Sequence, residues 1–326
     1  MIYHFPHDAA YLPRTRLSYV NLPGILSDGK RDRAARVSGY VLVQLGERCY
    51  LVFLRGGEPF HAARMSPGER APVALSEVIR LAGTESERGE GGQIAYLGAP
   101  EAQLRAMLAT LLQEPVLWET PLDPGRPDLI FPRLRDRRFT GVLELCEDGR
   151  HHYLTFEDGL FRDGWFSDRD PLAGVGDFVR QVFERSAGGL RCTLFDALPD
   201  LPSQAPPGLV DLYRRMVGGV LRELAQAGGR ETGLALLRRG QAMAAERHPP
   251  VGAFRVTDEG RISGDPVATP EELTAGVAAW ITDALITAAD HHGIDPAAVV
   301  ERVARDSRYV LSEQGFFAKL PWALAL

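Results

Sequence analysis

Up to Asp200 the chain is written in short runs of β-branched and aromatic residues separated by glycine-bearing turns. Gly39-Tyr-Val-Leu-Val and Tyr50 to Leu54 flank a Gly46-Glu47 turn, and Gly141-Val-Leu-Glu-Leu and Tyr153 to Phe156 flank Glu147-Asp148-Gly149. Two such runs around a glycine turn predict a β-hairpin. In each case a second glycine turn leads into a third run, Glu58 to Ala63 and Leu160 to Phe166. A helix is predicted next, Ala74 to Leu81 and Gly174 to Ser186, the latter with Phe178, Val179, Val182 and Phe183 on one face. Closing strands are predicted at Gln93 to Leu97 and Leu190 to Phe195.

The same order occurs twice, which makes the chain an internal repeat. By residue type, Tyr50, Leu51, Phe53 and Gly56 match Tyr153, Leu154, Phe156 and Gly159, with one extra residue in the first turn of the second copy. The succession of an apolar helix, a Gly-led hairpin, Phe-x-x-Gly, a third strand ending near His-Ala and a further helix resembles the PATAN domain. The second copy carries Gly141-Val-Leu-Glu-Leu and Phe156-Glu-Asp-Gly159, and the first contributes Phe60-His61-Ala62. The first copy departs in its longer approach, Ser27 to Ser38, and its doubled Gly56-Gly57, and the resemblance covers roughly residues 17 to 200. It implies a non-enzymatic protein–protein interaction adaptor in bacterial signalling or surface motility, partnered by other signalling or motility proteins. It supplies no catalytic residues.

Prolines between Leu198 and Pro207 mark a linker. Beyond it, Val210, Tyr213, Met216, Val217, Val220, Leu221 and Leu224 fall on one helical face that Gly228-Gly229 ends. A second helix is expected at Thr232 to Arg247, then a hairpin near residues 251–263 around Thr257 to Gly260. Thr269-Pro-Glu-Glu272 is a capping box with proline at the first helical position, and its helix stops at His291-His292-Gly293. Shorter helices are expected from Pro296 to Arg305 and from Arg308 to Ala318. The expected fold class is α+β: two tandem β-meander modules with packed helices, then a mainly helical domain. The expected domains are 1–118, 119–200 and 201–326.

Composition narrows the function classes. Hydrophobic residues make up 45% and charged residues 25% of 326, which suits globular folding. A net charge of −6 argues against nucleic-acid binding through bulk electrostatics. The longest apolar runs are too short to insert in a membrane. The first residues lack the pattern of a secretory signal, so a cytoplasmic location is expected, and a homo-oligomer is compatible with the sequence. Cys49, Cys146 and Cys192 read as buried thiols.

Phosphate-binding glycine loops and a nucleophile-elbow serine are missing. The adjacent pairs His151-His152 and His291-His292 do not converge as zinc ligands; the first reads as a strand with one exposed imidazole and the second as a helix cap. Asp158, Asp163, Asp168 and Asp170 read as turn acids. No metal, cofactor or catalytic residue is therefore expected.

Arginines recur before each module. Arg31, Arg33 and Arg36 precede Gly39, and Arg133, Arg135 and Arg138 precede Gly141. They read either as solvated helix-end charges or as docking patches for acidic partner surfaces. The rival to an adaptor is a ligand-sensing or hydrolytic protein, with a site at the junction of the repeats and the C-terminal domain. A deep pocket lined by ionisable groups with shifted pKa values is its signature.

Overall fold

The computed structural model describes residues 2–31, 37–89, 91–168, 174–185 and 189–323, with side chains for all of these except 27–31. The fold is α+β, and the chain divides into two compact units, Met1–Val73 with Val78–Pro202, and Ala74–Glu77 with Ser203–Leu326.

The first module runs α1 (Leu22–Arg31), β2 (Gly39–Leu45), β3 (Arg48–Arg55), β4 (Glu58–Ser66), β5 (Glu69–Pro72), α2 (Leu75–Arg88) and β6 (Gln93–Gly98), preceded by β1 (Ala9–Arg16). After α3 (Glu101–Leu112) the second runs α4 (Pro127–Asp136), β7 (Gly141–Glu147), β8 (Arg150–Glu157), β9 (Leu160–Phe166), α5 (Val175–Arg185) and β10 (Arg191–Asp196). The first sheet has the order β1-β6-β2-β3-β4-β5 and the second β10-β7-β8-β9. Four strands thus share one topology, and β1 and β5 are additions that extend the two edges of the first sheet.

The hairpin turns explain the glycines. Gly56-Gly57, Asp148-Gly149 and Asp158-Gly159 are two-residue loops with positive φ at both positions, the twist that matches flanking strands and that glycine and aspartate tolerate. Because every loop is this short, no residue is inserted in the second copy, and the match by residue type is out by one. Gly39 pairs with Leu54 as Gly141 pairs with Phe156, so Leu51 corresponds to Tyr153, Leu54 to Phe156 and Gly57 to Gly159. Backbone bonds repeat in this register. Gly57 N donates to Val37 O (2.9 Å) as Gly159 N donates to Phe139 O (2.8 Å), and the hydroxyls of Ser38 and Thr140 accept from Gly56 N and Asp158 N. A Cβ on Gly39 would lie 2.1 Å from Leu97 O, and one on Gly141 2.2 Å from Phe195 O, so each first strand opens on a glycine for the same steric reason.

Helix α3 touches strands of both sheets. One core joins Tyr40, Leu42, Leu51 and Phe53 of the first sheet, Leu104, Met107 and Leu108 of α3, and Val142, Tyr153 and Phe195 of the second. The other face of the second sheet, Leu143, Leu145, Leu154 and Leu194, packs on Ile130 and Leu134 of α4 and on Phe178, Val182 and Phe183 of α5. The second sheet is therefore covered on both faces.

The second unit contains α6 (Pro207–Gly228), α7 (Arg230–Arg247), a hairpin of β11 (Arg255–Val256) and β12 (Ile262–Ser263), α8 (Pro270–His292), α9 (Pro296–Ala304) and α10 (Arg308–Glu313). Thr269 and Glu272 form the capping box of α8, and Gly293 closes that helix at φ +61°. Trp280 is fully buried at its centre and donates from Nε1 to Leu237 O at 2.8 Å. Among the described residues no helix is long and apolar enough to cross a membrane.

Candidate functional site

Strand periodicity places Val142, Glu144 and Cys146 of β7 on the α3 face of the second sheet, with His151 and Tyr153 of β8 and Arg191, Thr193 and Phe195 of β10. Cys146 is cross-strand partner to both His151 and Arg191. An apolar core face thereby receives a carboxylate, a thiol and an imidazole.

The side chains form a line. Arg70 of β5 donates from Nη2 to Glu144 Oε2 (2.7 Å) and from Nη1 to Thr110 O (2.9 Å). The other carboxylate oxygen, Oε1, lies 2.8 Å from His151 Nδ1. The opposite nitrogen, Nε2, lies 3.9 Å from Cys146 Sγ, and Arg191 Nη2 is 3.6 Å from the same sulfur. Glu144 and His151 are each 2% exposed.

The ring is held in plane by the N-terminal segment. His4 N donates to Gly149 O and His151 N to His4 O, a parallel bridge at the start of β8, and Phe5 stacks on the imidazole at 4.9 Å and 16°. Tyr40 Oη donates to Pro6 O at 2.8 Å and fixes that segment to β2.

Above this line is a cavity of about 860 Å³. Arg70, Thr110, Glu144, Cys146, His151 and Arg191 are in its wall, and every residue lining it belongs to the first unit. Among the described residues, the Cys146 sulfur is the polar partner of the Arg191 guanidinium, which has no carboxylate facing it.

The electrostatics follow from the contacts. Burial would push the Glu144 carboxyl up, but the His151 bond and charge, with Arg70, outweigh it and hold the group at about 2. Burial also opposes a charged His151, yet its bonds to Cys146 and Glu144 raise it to about 9. For Cys146 burial disfavours the thiolate, but His151 and Arg191 more than compensate and lower the thiol. The other two thiols go the opposite way: burial pushes Cys192 up to about 12 and raises Cys49 further.

In the first copy the corresponding positions are Leu42 for Glu144, Gln44 for Cys146, Cys49 for His151 and Leu51 for Tyr153. The same architecture is filled there almost entirely with apolar side chains.

The expected single exposed imidazole is corrected. His151 is 2% and His152 0% exposed, because α3 and the N-terminal segment cover one face of the sheet while α4 and α5 cover the other. His152 lies between Phe166 and Phe178, and burial lowers it to about 4. Asp158 is a turn residue, Asp168 pairs with Arg185 at 3.1 Å, and Asp170 lies outside the described residues.

Of the arginine candidates, Arg133 and Arg135 sit in the last turn of α4. Arg133 Nη1 donates to Pro121 O (3.2 Å), and the Arg135 side chain is 69% exposed, 4.0 Å from Asp136. Arg138 is exposed at φ +48°. Arg31 ends α1 with its side chain outside the description, and Arg33 and Arg36 lie outside the described residues. Arg133, Arg135 and Arg138 do not line the cavity.

The cavity residues escaped the sequence reading. One signal for them was present: Glu144 and His151 replace Leu42 and Cys49 in an otherwise apolar strand pair, once the copies are aligned without an insertion.

Compared with known proteins, the chain matches no family model, no curated protein and no solved structure.

Proposed function

We propose that the two repeats form an interaction unit of bacterial signalling that senses a small anionic ligand in the cavity between them. The observation that carries the ligand half is the conversion of Leu42, Gln44 and Cys49 into Glu144, Cys146 and His151 beneath a cavity. Uncharged residues suffice for the fold at these positions in the first copy, and burying ionised groups there costs several kcal/mol per ion before pairing. A buried network with shifted pKa values facing a cavity is better explained by a ligand than by stability. The cationic Arg191 and His151 in its wall favour an anion.

The adaptor half is supported by the order of elements that resembles PATAN domains, present twice. Arg135 and Arg138, exposed at the end of α4, are the candidate partner surface, and other cytoplasmic signalling or motility proteins are the proposed partners.

Thermal unfolding with added succinate against sodium chloride of equal ionic strength tests the ligand. A ligand at a hundredfold its Kd stabilises by about 2.7 kcal/mol, on the order of 5–10 °C for a unit of this size. The rise should appear in the natural protein and vanish in Arg191→Glu. An equal rise in both, or none in either, overturns the ligand reading.

A further inference from the structure

We infer that Cys146 is a nucleophile with His151 as its base, and that the cavity accepts an ester or thioester of a small acid whose far end is anionic. This rests on the cavity being a ligand site and departs from a purely non-enzymatic adaptor.

The geometry assigns the roles. One imidazole divides its two nitrogens between a thiol (3.9 Å) and a carboxylate (2.8 Å), which fixes the tautomer that can take the thiol proton. Cys146 and His151 are paired residues of adjacent antiparallel strands, so the pair is set by the sheet and not by a loop. Phe5 fixes the plane of the ring. Glu144 touches His151 and Arg70 and acts through His151 as a positioning residue. Arg191 is beside the sulfur and pairs with no carboxylate among the described residues, so it both favours the thiolate and can meet an anionic group.

His152 and the other two thiols lack this arrangement. His152 Nδ1 accepts from Ser167 N, and Cys49 and Cys192 are paired with neither an imidazole nor a guanidinium in the described residues. A purely structural network also has no need of sulfur at a cavity wall, where the first copy has Gln44.

In the reaction the Cys146 thiolate attacks the acyl carbon and forms the S–C bond. The alkoxide or thiolate of the donor leaves with the bonding pair and takes the proton that His151 Nε2 holds. Water then adds to the acyl carbon and gives its proton to His151, and Sγ leaves as thiolate. The balance is ester plus water to acid plus alcohol, with no oxidant or metal.

Full-length protein is mixed with mono-4-nitrophenyl succinate and, separately, with 4-nitrophenyl acetate. The expected result is a burst of one nitrophenolate per chain and a single acyl adduct that peptide mass spectrometry places on Cys146. Cys146→Ser, close in size, should lose the burst. Glu144→Gln should slow acylation on the order of a hundredfold at neutral pH and recover towards alkaline pH, a profile change that a merely structural role would not produce. Arg191→Ala should lower the ratio of succinyl to acetyl ester rates roughly tenfold.

Iodoacetamide labelling of the natural protein gives a second reading that needs no variant. Cys146 should label fastest of the three cysteines, with a midpoint below the ordinary thiol value of ~8.5. No burst and no adduct on Cys146 overturn the nucleophile. If succinate still raises the unfolding temperature, the nucleophile alone has failed; if it does not, the ligand reading has failed with it.

Discussion

Replacing Glu144 with leucine, the residue that Leu42 places in the first copy, is a change of charge at a position where the fold already accepts the shape. Glu144 is the anion between Arg70 and His151, and its loss leaves two buried cations facing one another. Removing one partner of a buried ion pair costs about 3–5 kcal/mol. The titration gives a comparable figure, because a carboxyl held at about 2 against an ordinary 4.5 corresponds to about 3 kcal/mol.

The signs differ for the two partners. The Glu144 contribution is complete above its unfolded value of 4.5 and is lost as pH falls towards about 2. His151, raised from 6.5 to about 9, contributes fully below 6.5 and loses it as pH rises towards 9. One hydrogen bond underlies both, so it is counted once. Urea unfolding of the natural protein and Glu144→Leu across pH should therefore give a stability difference that is greatest between 4.5 and 6.5 and shrinks on either side. Equal midpoints, or a difference that ignores pH, refute a charged pair.

Three further outcomes are expected. His152, lowered from 6.5 to about 4 by burial, supports the fold above 6.5 and withdraws that support as pH falls, so His152→Leu should lessen the loss of stability between pH 7 and pH 5 by about 2 kcal/mol in urea melts; an unchanged acid slope counts against it. Gly141→Ala should destabilise by at least about 1–3 kcal/mol, since its Cβ meets the Phe195 carbonyl at 2.2 Å, and Gly39→Ala should behave alike if the repeat is as described; hydrogen exchange of β10 and β6 amides reads both. Arg135→Glu with Arg138→Glu should change stability by less than about 0.5 kcal/mol while abolishing co-purification of a partner; retained capture makes them solvated helix-end charges.

The fold was legible where local chemistry dictates it. Glycine-bearing turns at positive φ marked the hairpins, and Thr269 with Glu272 and Gly293 bounded α8. The register of the repeat was misread because Tyr50 and Tyr153 share a letter but not a place: Tyr153 faces α3, while Tyr50 corresponds to His152 on the other face. Strand β1 carries two register shifts against β6, which erase the alternation that would have marked it. Helix α3 is buried from Gln103 to Leu111 apart from Arg105, so it offers no polar face to set a helical period. That helix is also the reason the site stayed hidden. A strand reading Val-Leu-Glu-Leu-Cys places Glu144 in solvent unless a second layer covers it, and the covering layer comes from α3 and residues 2–7, remote in sequence.

If the charged network of the second repeat serves a ligand and not stability, the fold should tolerate its removal. The direct measurement restores the uncharged pattern of the first copy with Glu144→Leu, Cys146→Gln and His151→Cys, adds Arg70→Met to remove the stranded guanidinium, and records unfolding at pH 7 with and without succinate. Replacing a whole buried ionic network by packed neutral residues is often neutral or stabilising by about 1–4 kcal/mol. The expected result is a variant at least as stable as the natural protein in which the succinate-dependent rise in unfolding temperature is gone. A variant that is markedly less stable, or one that is stable and still responds to succinate as before, contradicts it.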